Sequence, residues 1–228
     1  MNTITASLGT ASLGHEFAVG AVANAVQGRG LTQPQAINPA VAAKQRDDAD
    51  LLARIASGDK LAMKVLYARH HVQTYRFLLR LVGDEAHAED LVSEVFFDVW
   101  RNAHQFQGNS RVSTWILAIA RFKALSALRR RKDDELDDDH AASIADTADD
   151  PEIAVQKKDR VAIMRQCLSH LSLVHREIID LAYYQDKPIN EVAEILGVPE
   201  NTVKTRMFHA RRRLSELLAQ AGIDRTYQ

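Results

Sequence analysis

The chain has 228 residues, 46% of them hydrophobic and 26% charged, enough for one or two domains with buried cores. A single cysteine, Cys167, excludes an internal disulfide framework and a cysteine-cluster zinc site, and no run of 18 apolar residues offers a membrane span. The net charge of −1 conceals a segregation: residues 133–155 hold ten acids and no base, so the remainder is net +9 and a nucleic-acid partner stays open.

Aromatic residues make up only 6%, with ten Gly and five Pro, too few for a strand-and-turn protein of this size. No early Lys or Arg suggests a secretory signal, so the expected location is cytoplasmic. Residues 1–46 are rich in Ala, Gly, Ser, Thr and Gln and keep no apolar period. They are expected to form a disordered N-terminal extension.

Residues 47–132 read as a helical domain. Leu51, Leu52, Ile55 and Ala56 give a short stripe. After Gly58-Asp59 a longer one follows through Leu61, Val65, Leu66, Ala68, Val72, Tyr75, Leu78, Leu79 and Val82. His70-His71 is expected at the surface. Gly83-Asp84 ends that helix. Leu91, Val92, Val95, Phe96, Val99 and Trp100 form the next stripe. After the loop Gln107-Gly108-Asn109-Ser110, a helix carries Trp115, Ile116, Ile119, Ala120, Phe122, Lys123 and Leu125 and ends in Arg129-Arg130-Arg131-Lys132. Residues 133–155 are predicted to be an extended acidic linker, because like charges repel and few apolar groups are present.

Residues 156–228 form a second helical domain. Val161, Met164, Leu168 and Leu171 share a face, with Cys167 beside it as a buried structural thiol. Ile178, Ile179 and Ala182 share another. From Ile189 the pattern is a helix-turn-helix. Ile189, Val192, Ala193 and Leu196 lie at i, i+3, i+4 and i+7. Gly197 stands where a left-handed turn residue is wanted, and Pro199 suits the first turn of the next helix. In that helix Val203, Met207, Ala210, Leu214 and Leu217 face the core. Its other face presents Glu200, Asn201, Lys204, Thr205 and His209 for base edges in the major groove. Arg206, Arg211, Arg212 and Arg213 suit phosphates. The fold class is therefore all-α, two small helical domains joined by an acidic flexible linker.

Two segments of the first domain carry a family resemblance. Ala88-Glu89-Asp90-Leu91-Val92-Ser93-Glu94-Val95-Phe96-Phe97-Asp98-Val99-Trp100-Arg101 resembles the conserved region 2 helix of bacterial sigma factors, and so does the run from Phe106 to Arg121. The helix-turn-helix resembles their region 4. Order and spacing over about residues 47–220 are similar to the two-domain extracytoplasmic-function (ECF) sigma factors of the sigma-70 family.

The resemblance implies partners and residue roles. Asp90, Ser93, Glu94, Phe97 and Arg101 would bind core RNA polymerase, whose largest-subunit clamp and flap receive such proteins. The −10 promoter element would meet Gln107, Asn109, Ser110, Arg111, Arg121, Lys123, Arg129 and Arg130. The −35 element would meet Glu200, Asn201, Thr202, Lys204, Thr205, Arg206, His209 and Arg212. The acidic linker would thread the RNA exit path, its charge standing in for RNA. An anti-sigma factor is a further expected partner, and the regulated genes would answer to stress or a signal. Housekeeping sigma factors carry adjacent Trp residues as a melting wedge; Ala118-Ile119 stands there here, which implies reliance on close matches at both elements. Region 3 and a long region 1 are expected to be absent.

No Gly-rich phosphate loop or nucleophile–base pattern appears, so no enzymatic activity, cofactor or metal is expected. His87, Asp90 and Glu94 at i, i+3 and i+7 would serve a metal-dependent hydrolase, but a second ligand cluster is missing. A repressor or activator is the other class compatible with the helix-turn-helix, and it would bind duplex DNA tightly without polymerase.

Overall fold

The computed structural model describes residues 39–137 and 155–222, with side chains over 47–131 and 162–222. All regular elements among the described residues are helical. None of these helices is long and apolar enough to cross a membrane. The described residues group into two compact units. One is drawn from Gln33–Thr147 and Pro188–Thr202, the other from Ala148–Lys187 and Val203–Gln228.

The first unit contains α1 (Pro39–Ala56), α2 (Lys60–Val82), α3 (Glu85–Asn102), a 3-10 turn (Ala103–Gln105), α4 (Val112–Asp137) and a helix returning from later in the chain, α7 (Ile189–Leu196). Helices α2, α3 and α4 pack on one another, α1 lies on α2, and α7 lies on α4. Leu52, Leu66, Phe77, Leu78, Leu91, Val95, Ile116 and Leu117 are buried at their junctions. Each such side chain contributes about 1.5–3 kcal/mol by leaving water. The turns between helices are capped by their own residues. Asp59 accepts from the Leu61 and Ala62 amides, and Asp84 from the His87 amide at 2.7 Å.

Three sequence expectations change here. First, α1 begins at Pro39, so residues 39–46 are helical and only 1–38 of the expected extension lie outside the described residues. Proline at the first helical position loses no hydrogen bond, and the alanines that follow are strong helix formers. Second, α4 continues to Asp137, five residues past Lys132, since no Gly or Pro interrupts it. Residues 138–154 of the expected linker, with the idea that it threads an RNA path, lie outside the described residues.

Third, α2 turns a different face inward. Its buried residues are Ala62, Leu66, His70, Thr74, Phe77, Leu78 and Leu81, whereas Leu61 is 68% exposed and Val65 and Val72 are also exposed. The polar members are satisfied inside. His70 Nε2 meets Asp48 at 2.9 Å, Arg69 donates to the other Asp48 oxygen at 2.6 Å, and the Thr74 hydroxyl donates to the His70 carbonyl. His70 is therefore a core residue, not a surface one. Burial works against the Asp48 carboxylate, but the bonds from His70 and Arg69 outweigh it and hold the group below the usual carboxylate range.

The second unit holds α5 (Val155–Ser169), α6 (Leu173–Ile179), a five-residue π turn (Asp180–Tyr184) and most of α8 (Glu200–Gln220). Met164, Cys167, Leu168, Leu171, Ile178 and Ile179 are buried. Burial raises the Cys167 thiol, as suits an inert packing residue. The π turn closes on itself, with Gln185 donating to the buried Asp180 carboxylate at 3.0 Å. On α8 the buried stripe is Val203, Met207, Ala210, Leu214 and Leu218; Leu217 is half-buried, one position off the expected register.

Candidate functional site

On α3, Asp90, Ser93, Glu94, Phe97 and Arg101 recur at three- and four-residue intervals and share one exposed face. The opposite face sends Leu91, Val92, Val95, Phe96 and Val99 into the core. Phe97 is 60% exposed, with the Arg101 guanidinium 5.6 Å from its ring centroid. Lys123 reaches over from α4 to this face. Its ammonium lies 3.1 Å from Glu94 and 3.0 Å from Asp98. The bonds to Asp98, then to Glu94, raise its affinity for the proton. Lys123 is thus placed with the α3 carboxylates. Phe122, the neighbour of Lys123 on α4, is 67% exposed.

The loop before α4 is held at its base by Phe106, whose ring lies 5.4 Å from that of Trp115. Gly108 adopts φ +73°, a conformation that side chains rarely take. Gln107 and Asn109 are exposed and bonded to each other at 3.1 Å. Ser110, Arg111 and Arg121 are half-buried, while Arg129 and Arg130 are exposed.

The turn between α7 and α8 follows its sequence. Gly197 is left-handed at φ 65°, ψ 37°. The Val198 amide donates to the Ala193 carbonyl at 3.1 Å and the Gly197 amide to Glu194 at 3.2 Å, the Schellman pattern. Along α8, Glu200, Asn201, Lys204, Thr205, His209 and Arg212 are exposed and Thr202 and Arg206 half-buried. Phe208, which the sequence reading passed over, is exposed beside His209 at 5.5 Å. Arg212 and Arg213 share the Glu216 carboxylate, each at 3.2 Å. Arg213, then Arg212, lowers that carboxyl below its usual range. His175 on α6 resists protonation, through burial and then the positive charge of His209 and Arg206.

One residue absent from the sequence reading stands out. Glu191 on α7 is buried, its side chain 7% exposed. One oxygen meets Arg111 Nε at 2.9 Å; the other accepts from the Thr114 hydroxyl at 2.5 Å. An acid on a short amphipathic helix reads as a solvent-facing residue, so nothing local signals this burial.

The family comparisons bear on these surfaces directly. Sigma-70 region 2 matches residues 66–133 and Sigma-70 region 4 matches 162–214. The ECF RNA polymerase sigma factor SigM of Mycobacterium tuberculosis (strain ATCC 25618 / H37Rv) is 31% identical over 76% of this chain and 86% of its own. The chain belongs to the ECF sigma factors of the sigma-70 family. SigL of the same species (strain ATCC 35801 / TMC 107 / Erdman) is 29% identical over 75% of this chain and 96% of its own. Among solved structures, CnrH in complex with the cytosolic domain of CnrY has a TM-score of 0.59 at 25% identity, covering 76% of this chain and 98% of that one. RpoE in complex with the anti-sigma factor NepR, from Bartonella quintana, has 0.58 at 27%, covering 68% and 96%.

An ECF sigma factor is a transcription initiation factor, not an enzyme, and its partners are core RNA polymerase and promoter DNA. The exposed α3 face and the loop before α4 fall within the region 2 match; the turn and the N-terminal part of α8 fall within region 4.

Proposed function

We propose that this sigma factor binds core polymerase through the α3 face of Asp90, Ser93, Glu94, Phe97 and Arg101. The observation that carries the reading is the exposed Phe97, set among carboxylates on a helix whose other face is core. A large aromatic left in water beside acidic groups suits a partner surface that is basic and apolar. Lys123 belongs with this face, where it positions Glu94 and Asp98.

The −10 element meets Gln107, Asn109, Ser110 and Arg111, with Arg121, Arg129 and Arg130 along α4 tracking the backbone. Polar loop groups and adjacent cations suit unpaired DNA. The −35 element meets the start of α8, where Asn201 and Lys204 address base edges and Arg206 and Arg212 phosphates. The −35 contacts also include Glu200, Thr202, Thr205 and His209. The genes controlled are a small set answering to stress or a signal. An anti-sigma factor holds the protein until then, a reading supported by RpoE, which was solved with the anti-sigma factor NepR.

Glu94→Arg tests the polymerase face. Glu94 is exposed and its pair with Lys123 contributes at most about 1 kcal/mol, so the fold should survive. Affinity for core polymerase in a pull-down should fall at least about tenfold, with helicity and thermal melting nearly unchanged. Wild-type affinity would remove the interface assignment.

A further inference from the structure

Phe97 on α3 and Phe122 on α4 are both left in water, at 60% and 67% exposure. Their charge surroundings are opposite. Phe97 shares its face with Asp90 and Glu94, and Asp98 adjoins it. Phe122 sits in a stretch, residues 111–132, that holds seven bases and no acid. The Lys123 ammonium, next in the chain, is taken up by Glu94 and Asp98, so the two surroundings stay apart. The polymerase face accounts for Phe97 and leaves Phe122 without a role.

Phe122 is part of a continuous surface. By helical spacing Trp115, Ile119, Phe122, Ser126 and Arg129 fall on one face of α4. Trp115, Ile119 and Ser126 are half-buried, while Phe122 and Arg129 are exposed. The Trp115 ring is braced by Phe106 at the base of the loop assigned to the −10 element. The face therefore runs from that loop, across an apolar stretch, to Arg129 and Arg130. At ~1.5 Å of rise per residue, Phe122 lies about 16 Å beyond Arg111 and about 10 Å short of Arg129. A stacked strand advances ~3.4 Å per nucleotide, so Phe122 meets a base several nucleotides away from the one at the loop.

An exposed aromatic ring in a basic stretch without acids fits a nucleic-acid strand with unpaired bases. A duplex hides its base faces, an unpaired strand offers them, and neighbouring arginines take the phosphates. A basic partner surface of the kind that suits Phe97 would be repelled here. The geometry points to Phe122 as a stacking platform for one unpaired base of the −10 strand, at a position separate from the base met by the loop. The inference rests on the proposed −10 role of the loop and of Arg129 and Arg130, and it adds a contact of a different kind. Every base has a π face, so stacking holds an open strand whatever its sequence. Selection of bases then belongs to the polar loop, and retention of the melted strand to Phe122.

The test uses holoenzyme assembled from core polymerase and the full chain, with a fork DNA whose −10 element is single-stranded, made with either strand. Phe122→Ala should weaken fork binding about tenfold. The side chain is exposed, so thermal melting and core affinity should not move. Phe122→Trp and Phe122→Tyr keep a π face and should bind as wild type does. Phe122→Leu, apolar but without that face, should be as weak as Phe122→Ala. An abasic site walked along the single strand should locate the base: at one position wild type and Phe122→Ala should bind equally. Wild-type binding by Phe122→Ala or Phe122→Leu, or a gap that persists at every abasic position, would overturn the stacking role. A fall in core affinity would make Phe122 a polymerase contact and overturn it as well. Asn109→Ala and Arg129→Ala on the same fork test the −10 reading apart from this. If they weaken binding and Phe122→Ala does not, stacking alone falls; if all three bind as wild type, the −10 assignment falls with it.

Discussion

Two buried carboxylates in this protein look alike at atomic range and tie together different parts of the chain. Asp48 on α1 meets His70 at 2.9 Å and Arg69 at 2.6 Å; Glu191 on α7 meets Arg111 at 2.9 Å and Thr114 at 2.5 Å. Asp48 joins helices adjacent in the chain and lies just ahead of Leu51, Leu52 and Ile55, all buried. Glu191 joins residues 77 positions apart, from two different sigma regions. The pair geometry does not distinguish a local tie from a long-range one. What each pair connects does: Asp48 ties together two helices adjacent in the chain, whereas Glu191 ties a helix of the region 4 match to the start of a helix in the region 2 match.

The sharpest way to break this comparison is to neutralise Asp48. Asp48→Asn removes the charge facing Arg69 and weakens the partner of the buried His70. It should cost about 3 kcal/mol in denaturant unfolding of the full chain. The effect has a pH signature. The folded-state pKa of Asp48 is depressed, so its stabilisation is present above the ordinary value of 3.8 and is lost as pH falls below it toward the folded value. The gap between wild type and Asp48→Asn should therefore narrow below about pH 4. A constant gap down to pH 3 would place the cost in packing instead of in the pair.

Glu191→Gln should be milder, about 1 kcal/mol or less on the same curve, since the Arg111 side chain is partly exposed and water can replace the lost charge partner. A loss as large as that of Asp48→Asn would make α7 a structural member of the region 2 core. Smallest of all is Glu216→Gln on α8. Its two partners, Arg212 and Arg213, are exposed, and the unfolding midpoint should barely move. Freed of Glu216, the two guanidiniums should strengthen −35 duplex binding slightly, with a steeper salt dependence.

The legible parts of the chain were those where apolar period and burial coincide. On α3, five of the six residues in the predicted stripe, Leu91 to Val99, are buried, and on α8 Val203, Met207, Ala210 and Leu214 are. The turn at Gly197 was legible because a left-handed residue followed by proline has few other uses. Helix α2 was misread for a physical reason: its inward face includes His70 and Thr74, which are tolerated only because Asp48 and a backbone carbonyl satisfy them, while Leu61, Val65 and Val72 stay in water. Period reading counts apolar residues and cannot see a polar group satisfied from another helix. Glu191 escaped for the same reason, its partners lying on α4. The α3 face and the exposed start of α8 followed from the complement of their core stripes.

The proposed role of this chain is to give promoter selectivity to RNA polymerase. Core polymerase should be mixed with the full chain and a library of genomic fragments, and the 5′ ends of the transcripts mapped. Discrete start sites preceded by a shared pair of −35 and −10 sequences, absent with core alone and lost with Glu94→Arg, are the expected result. Transcripts distributed as for core alone would contradict the account.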